Sequence, residues 1–260
     1  MSARSPLNRG ELRSAIRAAT PTIGTFIGLG AQTAEIAGAA GADFIVVDTE
    51  HGSVSDDVVG PAVLAAGAYG VATIVRVESD ERIRVGRALD AGAAGIMFPR
   101  VRDSQHAQQL LKYAHYPPRG NRGVATYNRA VGWSLEPENL TSASDEVLSV
   151  VQIETASALE DVDAIAALPD VDVLFIGPLD LSYALEIPRD FSNPVFQDAL
   201  SSVVAAAKKH SKAAGILAAT PDLITDYAPA GFQFIAVGSD STLFARALTA
   251  AISTFKTAQQ

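Results

Sequence analysis

The chain has 260 residues, 48% of them hydrophobic, with no cysteine and a formal net charge of −9. The apolar content suffices for one large core, and the missing sulfur excludes disulfides, thiolate chemistry and zinc sites built from cysteine. No Lys/Arg stripe forms and no apolar run reaches the ~18 residues that span a bilayer, so neither nucleic acid nor a membrane is an expected partner and the cytoplasm is the expected location.

In chain order, MSARSPLNRGELRSAIRAAT carries charge but no apolar h-region. It reads as a flexible tail over 1–10 followed by a helix, not as a secretory signal. Short apolar runs then recur: TIGTFIGL (22–29), FIVVDTE (44–50), ATIVRV (72–77), GIMFPRV (95–101), SVVQIET (149–155), VLFIGPLD (173–180), AGILAA (214–219) and FIAVGSD (234–240). Each is rich in Val, Ile or Phe and apolar on both faces, as parallel strands covered by helices are. Helical patterns rich in Ala and Leu separate them, among them AEIAGAAG and FQDALSSVVAAAKKH. Eight strands alternating with helices predict one (β/α)₈ barrel over 1–260. A doubly wound open sheet is the competing architecture, but no G-x-G-x-x-G opens the first crossover. The longest irregular stretch, 115–147, contains HYPPRGNRGVATYNRAVGW, and a loop that long predicts function or an oligomer contact.

In such a barrel the chemistry sits at the C-terminal strand ends. The second strand ends in Asp48, Glu50 and His51, and the third carries Arg76. Gln152 and Glu154 are two apart on the fifth, hence on one face, and point into the barrel mouth with Val151, Ile153 and Thr155 facing the helices. The sixth ends GPLD, placing Asp180 at the rim. One strand-end carboxylate is usually a cap or a surface charge; polar groups from four strand ends converging on one opening favour a site. Glu154 and Asp180 are hard oxygen ligands suited to Mg²⁺ or Mn²⁺, with Co²⁺ or Zn²⁺ as substitutes. Arg76 beside a dication makes a pocket for a carboxylate or enolate. His51 is the histidine placed to act as a base near neutral pH, with His106, His115 and His210 expected at the surface. The five lysines, Lys112, Lys208, Lys209, Lys212 and Lys256, all fall in helical segments or the tail. No strand end offers an amine for an imine, so bond-making beside a carbonyl requires a metal.

These residues carry a resemblance. DTEH (48–51), VRV around Arg76, YPPRGNRGV (116–124), VQIET (151–155) and FIGPLDLS (175–182) are similar to the motifs of the metal-dependent class II pyruvate aldolases of the HpcH/HpaI type, over essentially the whole chain. The resemblance implies cleavage of a 4-hydroxy-2-oxo acid to pyruvate or hydroxypyruvate and an aldehyde through a metal-stabilised enolate. It implies Glu154 and Asp180 as metal ligands, with Asp180, Gln152 and the Leu179 main chain touching substrate. His51 would be the base, Arg76 the enolate stabiliser, and Asp90 the carboxylate that makes the histidine more basic. It also implies a homohexamer, a trimer of dimers, in which the apolar stripe of STLFARALTAAISTFKTAQQ exchanges between subunits; the alternative is an eighth helix packed on its own barrel. The segment ATYNRAVGW departs from the family's usual stretch and leaves the acceptor open, with Arg122 and Arg129 able to meet a substrate carboxylate or an interface acid. A decarboxylase or acyl-CoA lyase using the same enolate, and a catalytically silent barrel, are the alternatives.

Overall fold

The computed structural model describes residues 9–135 and 139–259. Its strands are β1 Thr22–Ile27, β2 Phe44–Asp48, β3 Ala72–Arg76, β4 Gly95–Phe98, β5 Leu148–Ile153, β6 Val173–Ile176, β7 Ala213–Ala218 and β8 Phe234–Ser239. All pair in parallel with their neighbours in sequence, and β1 pairs with β8 through Thr22–Phe234 and Ile23–Ile235, so the sheet closes as the (β/α)₈ reading requires. The helices among the described residues are α1 Arg9–Arg17, α2 Ala31–Ala40, α3 Asp56–Gly67, α4 Arg82–Asp90, α5 Ser104–Leu111, α6 Asn139–Asp145, α7 Ala156–Glu160, α8 Val162–Ala167, α9 Pro178–Ala184, α10 Pro194–Lys209, α11 Ile224–Ala230 and α12 Asp240–Thr257. Most of the expected tail, residues 1–8, lies outside the described residues. None of these helices is long and apolar enough to cross a membrane.

Strand parity explains the continuous apolar runs. Phe44, Val46, Ile74, Met97, Val150, Phe175 and Phe234 fill the barrel interior, while Ile45, Val47, Val75, Ile96, Val151 and Ile153 pack outward under the helices. Both faces are buried, so the period-2 alternation of a half-exposed strand is missing. The Phe44 and Phe234 rings stack with centroids 3.9 Å apart. Gly24 makes room for this layer, because a Cβ there would lie 2.6 Å from the Phe44 ring.

The two barrel mouths are finished differently. At the N-terminal mouth α1 lays Leu12 and Ile16 onto the interior cluster. Beside them the Arg13 Nε donates to both oxygens of Asp172 at 3.0 Å, and Arg17 Nε and the Ser149 amide bond the same carboxylate at 3.1 and 3.0 Å. The C-terminal mouth stays open.

The segment expected to be irregular, 115–147, is partly ordered into α6 and short 3₁₀ geometry over Arg129–Ser134, broken by non-helical backbone at Val131–Trp133. It is pinned by Arg122, whose buried guanidinium lies 4.7 Å over the Tyr116 ring and donates to Asp90 Oδ1 at 2.6 Å. Arg122 is therefore committed inside the chain, to neither a substrate nor an interface acid.

No side chain of α12 is buried, and Phe244 and Phe255 are 65% and 64% exposed. The helix does not occupy the eighth-helix position between α11 and α2. A groove of about 670 Å³ remains there, lined by Ile23, Ile27, Ile36, Ile224, Val237 and Phe244 among others.

Candidate active site

A pocket of about 400 Å³ opens at the C-terminal mouth, lined by Asp48, His51, Arg76, Gln152, Glu154, Gly177, Leu179, Asp180 and residues from the β7–β8 side. Of the strand-end residues singled out from sequence, all but Glu50 thus line one cavity; Asp90, implied by the resemblance, does not line it either. Asp180 does not end a strand as expected. β6 stops at Ile176, and Asp180 sits in the first turn of α9, which Pro178 opens.

Arg76 is the most constrained group. In the β2–β3 register it lies beside Asp48, and both side chains point inward. Its Nε and Nη2 donate to the two Asp48 oxygens at 2.8 and 2.6 Å, the bidentate pairing that fixes a guanidinium plane. Nη1 lies 3.2 Å from Glu50 Oε2, and Cζ sits 5.0 Å over the Phe26 ring. Burial opposes its charge, but the hydrogen bonds to Asp48 and the charges of Asp48, Glu50 and Glu154 outweigh that and raise its pKa. Asp48 Oδ1 also accepts from the Glu50 and His51 amides, each at 3.2 Å, so one carboxylate shapes the DTEH turn and holds the arginine.

His51 stands at the edge of the pocket with a side chain 66% exposed, its Nε2 4.0 Å from Glu50 Oε2. Burial raises the Glu50 carboxyl, against the opposing pull of Arg76. Asp90 does not reach His51 within the chain. It closes α4 at the end that leads back to the start of β4, and its carboxylate is taken by Arg122.

Glu154 is the electrostatic centre. It is 4% exposed, with Oε1 accepting from the Arg100 amide at 2.7 Å and Oε2 from Gln152 Nε2 at 2.8 Å. Burial is the main force pushing its pKa up to about 7; the Arg100 amide opposes it, and the charges of Asp180 and Glu50 add to it. Arg100 adopts φ 49°, in the left-handed region costly for a residue with a Cβ. That conformation presents its amide to the carboxylate. On the opposite side a Cβ at Gly177 would fall 2.5 Å from Glu154 Oε2, so only glycine leaves the carboxylate its position.

A divalent cation fits these residues. The buried Glu154 lacks a cation of its own and is destabilised by Asp180, a repulsion that a dication would reverse. Gln152 Oε1, a hard oxygen in the same pocket, is buried without a hydrogen-bond partner. Among the described residues no three His, Asp or Glu side chains cluster as a closed metal cage. Two carboxylates are enough where water and substrate oxygens complete the sphere, as is usual for Mg²⁺.

Sequence reasoning missed four features. Arg100 acts through its backbone, and Gly177 through the absence of a side chain. The Asp48–Arg76 clamp was detectable, since FIVVD and ATIVR end their strands at matching positions. His106 and His115, expected at the surface, are buried. His106 lies on the inner face of α5 with Nε2 3.0 Å from Asp80 Oδ2, and His115 Nδ1 meets the Ser144 carbonyl at 3.0 Å. Burial, reinforced by Arg119, lowers the His115 pKa.

Residues 23–247 match the HpcH/HpaI aldolase/citrate lyase family. A hydroxypyruvate/pyruvate aldolase of Agrobacterium fabrum is 36% identical, with 96% of this chain and 95% of that one aligned. A 4-hydroxy-2-oxo-heptane-1,7-dioate aldolase of Escherichia coli is 33% identical over 94% of both chains. The crystal structure of an HpcH/HpaI aldolase/citrate lyase family protein from Burkholderia cenocepacia superposes with a TM-score of 0.91 at 32% identity, covering 95% of this chain and 99% of that one.

Proposed function

The chain belongs to the HpcH/HpaI aldolase/citrate lyase family, and from that premise we propose that it is a class II aldolase cleaving a 4-hydroxy-2-oxo acid reversibly to pyruvate or hydroxypyruvate and an aldehyde. The observation that carries this reading is the convergence of Glu154, Gln152, Asp180, Arg76 and His51 on one pocket that no lysine lines.

Glu154 and Asp180 would hold Mg²⁺ or Mn²⁺, with Co²⁺ or Zn²⁺ as substitutes, and the ion would supply Lewis-acid polarisation of the oxo acid. Gln152 and the Leu179 main chain orient the oxo-acid end, the exposed Leu179 side chain narrowing the entrance. In cleavage His51 takes the proton of the 4-hydroxyl, the C3–C4 bond breaks and the aldehyde leaves. Arg76, already aligned by Asp48, faces the oxygen charge of the pyruvate enolate without reorganisation. In synthesis His51 takes the proton from the pyruvate methyl. Asp90 has no part in this scheme within one chain.

The test is pyruvate release from a panel of 4-hydroxy-2-oxo acids, with oxaloacetate and CoA thioesters as competing substrates. EDTA should abolish activity and a divalent metal should restore it. A covalent adduct trapped by borohydride with pyruvate would refute the mechanism, because it requires an imine-forming lysine.

For assembly we infer a homohexamer, a trimer of dimers, in which α12 of one subunit fills the α11–α2 groove of its neighbour. The exposed stripe Phe244, Leu248, Ile252, Phe255 and the apolar groove support this pairing. Light scattering should give six chains, and truncation before Ser241 should destroy the assembly and its solubility together. A fully active monomer of 27.1 kDa would refute the exchange.

A further inference from the structure

The charges around the pocket are unevenly committed. On the β2–β3 side Arg76 is occupied by Asp48 and Glu50. Glu154 and Asp180 form the β5–β6 side. The remaining wall comes from the ends of β7 and β8, the loop after β7 and the start of α12, and contributes Leu217, Ala219, Ser239, Thr242 and Arg246.

Arg246 is the second guanidinium lining this pocket, and among the described residues no carboxylate pairs with it. Its Nη1 donates to the Ala219 carbonyl, which leaves donors and the full charge available. Asp240, the acidic residue of the same helix, is turned away, accepting from the Leu29 amide at 2.9 Å and from Thr33 Oγ1 at 2.6 Å. Those bonds tie the start of α12 to the β1 loop, and the Ser239–Thr242 capping box fixes the first turn. Arg246 is therefore carried on an anchored helix.

Around the rim this wall closes the arc from Asp180, after β6, to His51, after β2. With the oxo-acid end at Glu154 and Asp180 and the reacting hydroxyl at His51, groups beyond C4 have this arc as an outlet. A cavity of about 400 Å³ has room for more than a three-carbon oxo acid. A guanidinium keeps its charge at every working pH and matches planar or tetrahedral oxyanions with paired donors.

We propose that Arg246 reads the far end of the substrate, selecting aldehydes that carry an oxyanion, carboxylate or phosphate, beyond the reacting carbonyl. This rests on the aldolase reading. The alternative is an arginine that only ties α12 to the β7 loop.

Aldol addition to saturating pyruvate with a divalent metal separates the two. Succinic semialdehyde is compared with butanal, and glyceraldehyde 3-phosphate with glyceraldehyde. The wild type should prefer an oxyanion-bearing aldehyde, and Arg246→Gln should lower that kcat/KM ratio at least about tenfold, mainly through KM. Arg246→Lys should keep part of it. The pair whose ratio collapses identifies carboxylate or phosphate as the natural terminus. In the unmodified enzyme the same preference should fall with added salt, a readout independent of how any variant folds. An unchanged ratio, or equal losses for charged and uncharged aldehydes, overturns the proposal alone. A wild type that forms no aldol product with any aldehyde overturns the aldolase reading and this proposal with it.

Discussion

The two mouths of the barrel are built from the same side chains and end in opposite states. At the N-terminal mouth Asp172 is saturated by Arg13, Arg17 and a backbone amide, and the atoms left without a partner around it, Nη2 of Arg13 and Oγ of Ser149, are donors that do not open onto the pocket. At the C-terminal mouth Asp48 and Glu50 balance and orient Arg76, but Glu154 keeps a raised pKa and Gln152 an unpaired oxygen. A network that only stabilises closes on itself. One that awaits a ligand leaves a valence open, at a cost in stability that the ligand offsets.

Removing the central carboxylate from each mouth breaks the comparison most sharply. Asp172→Ala strands a buried arginine and should cost about 3–5 kcal/mol of stability, lowering the melting temperature with the site chemistry intact in whatever remains folded. Glu154→Ala should do the reverse. Activity should fall on the order of 10³-fold, several kcal/mol of lost Lewis-acid stabilisation, and dication binding by calorimetry should disappear while the melting temperature holds or rises. If both variants unfold alike, the open valence at Glu154 is ordinary structure.

Arg76 tests whether the closed half of the upper network serves catalysis. Arg76→Ala should lower kcat by roughly 10²–10³, the loss usual for one transition-state donor. A change confined to KM would make it a uniform binding group.

Much of this was legible in the sequence. The eight strands announced themselves as apolar runs because both faces of each are buried, and period-2 parity placed Gln152 and Glu154 in the mouth. Asp180 was assigned to the right rim but the wrong element, since a Pro at a helix start and a strand end look alike after an apolar run. Asp90 was carried over by resemblance, and the fold gives it to Arg122 at the other end of α4. Burial of His106 and His115 depends on which helix face or loop turns inward, which single polar residues do not announce. The Arg100 amide and the space at Gly177 leave no side-chain signal at all.

Gly177 gives the next effect in size. The added methyl of Gly177→Ala would meet Glu154 Oε2 at 2.5 Å and must displace it. Metal affinity, read by calorimetry, should fall about 10–100-fold, the range for a disturbed supporting contact, with little change in melting temperature. Unchanged affinity would mean that the carboxylate relaxes without losing its ligand geometry.

The smallest effect is the pH dependence of the open valence. Glu154 titrates at about 7 in the folded chain, above the ordinary carboxylate value of 4.5. The folded state therefore holds this proton more tightly than the unfolded one. The resulting stabilisation is complete below the ordinary value and is lost as pH rises through about 7. Its ceiling is about 3 kcal/mol; relaxation and water entry should reduce that to about 1 kcal/mol, a few degrees in a chain of this size. Metal-free wild type should therefore lose melting temperature between pH 5 and 8 relative to Glu154→Gln, which cannot ionise there. Mg²⁺ or Mn²⁺ should restore it above pH 7, where the carboxylate is free to bind, and do little at pH 5. Parallel curves for the two proteins, or equal protection by metal at both pH values, would mean that the charge of Glu154 is already offset inside the fold, and the difference between the mouths would vanish.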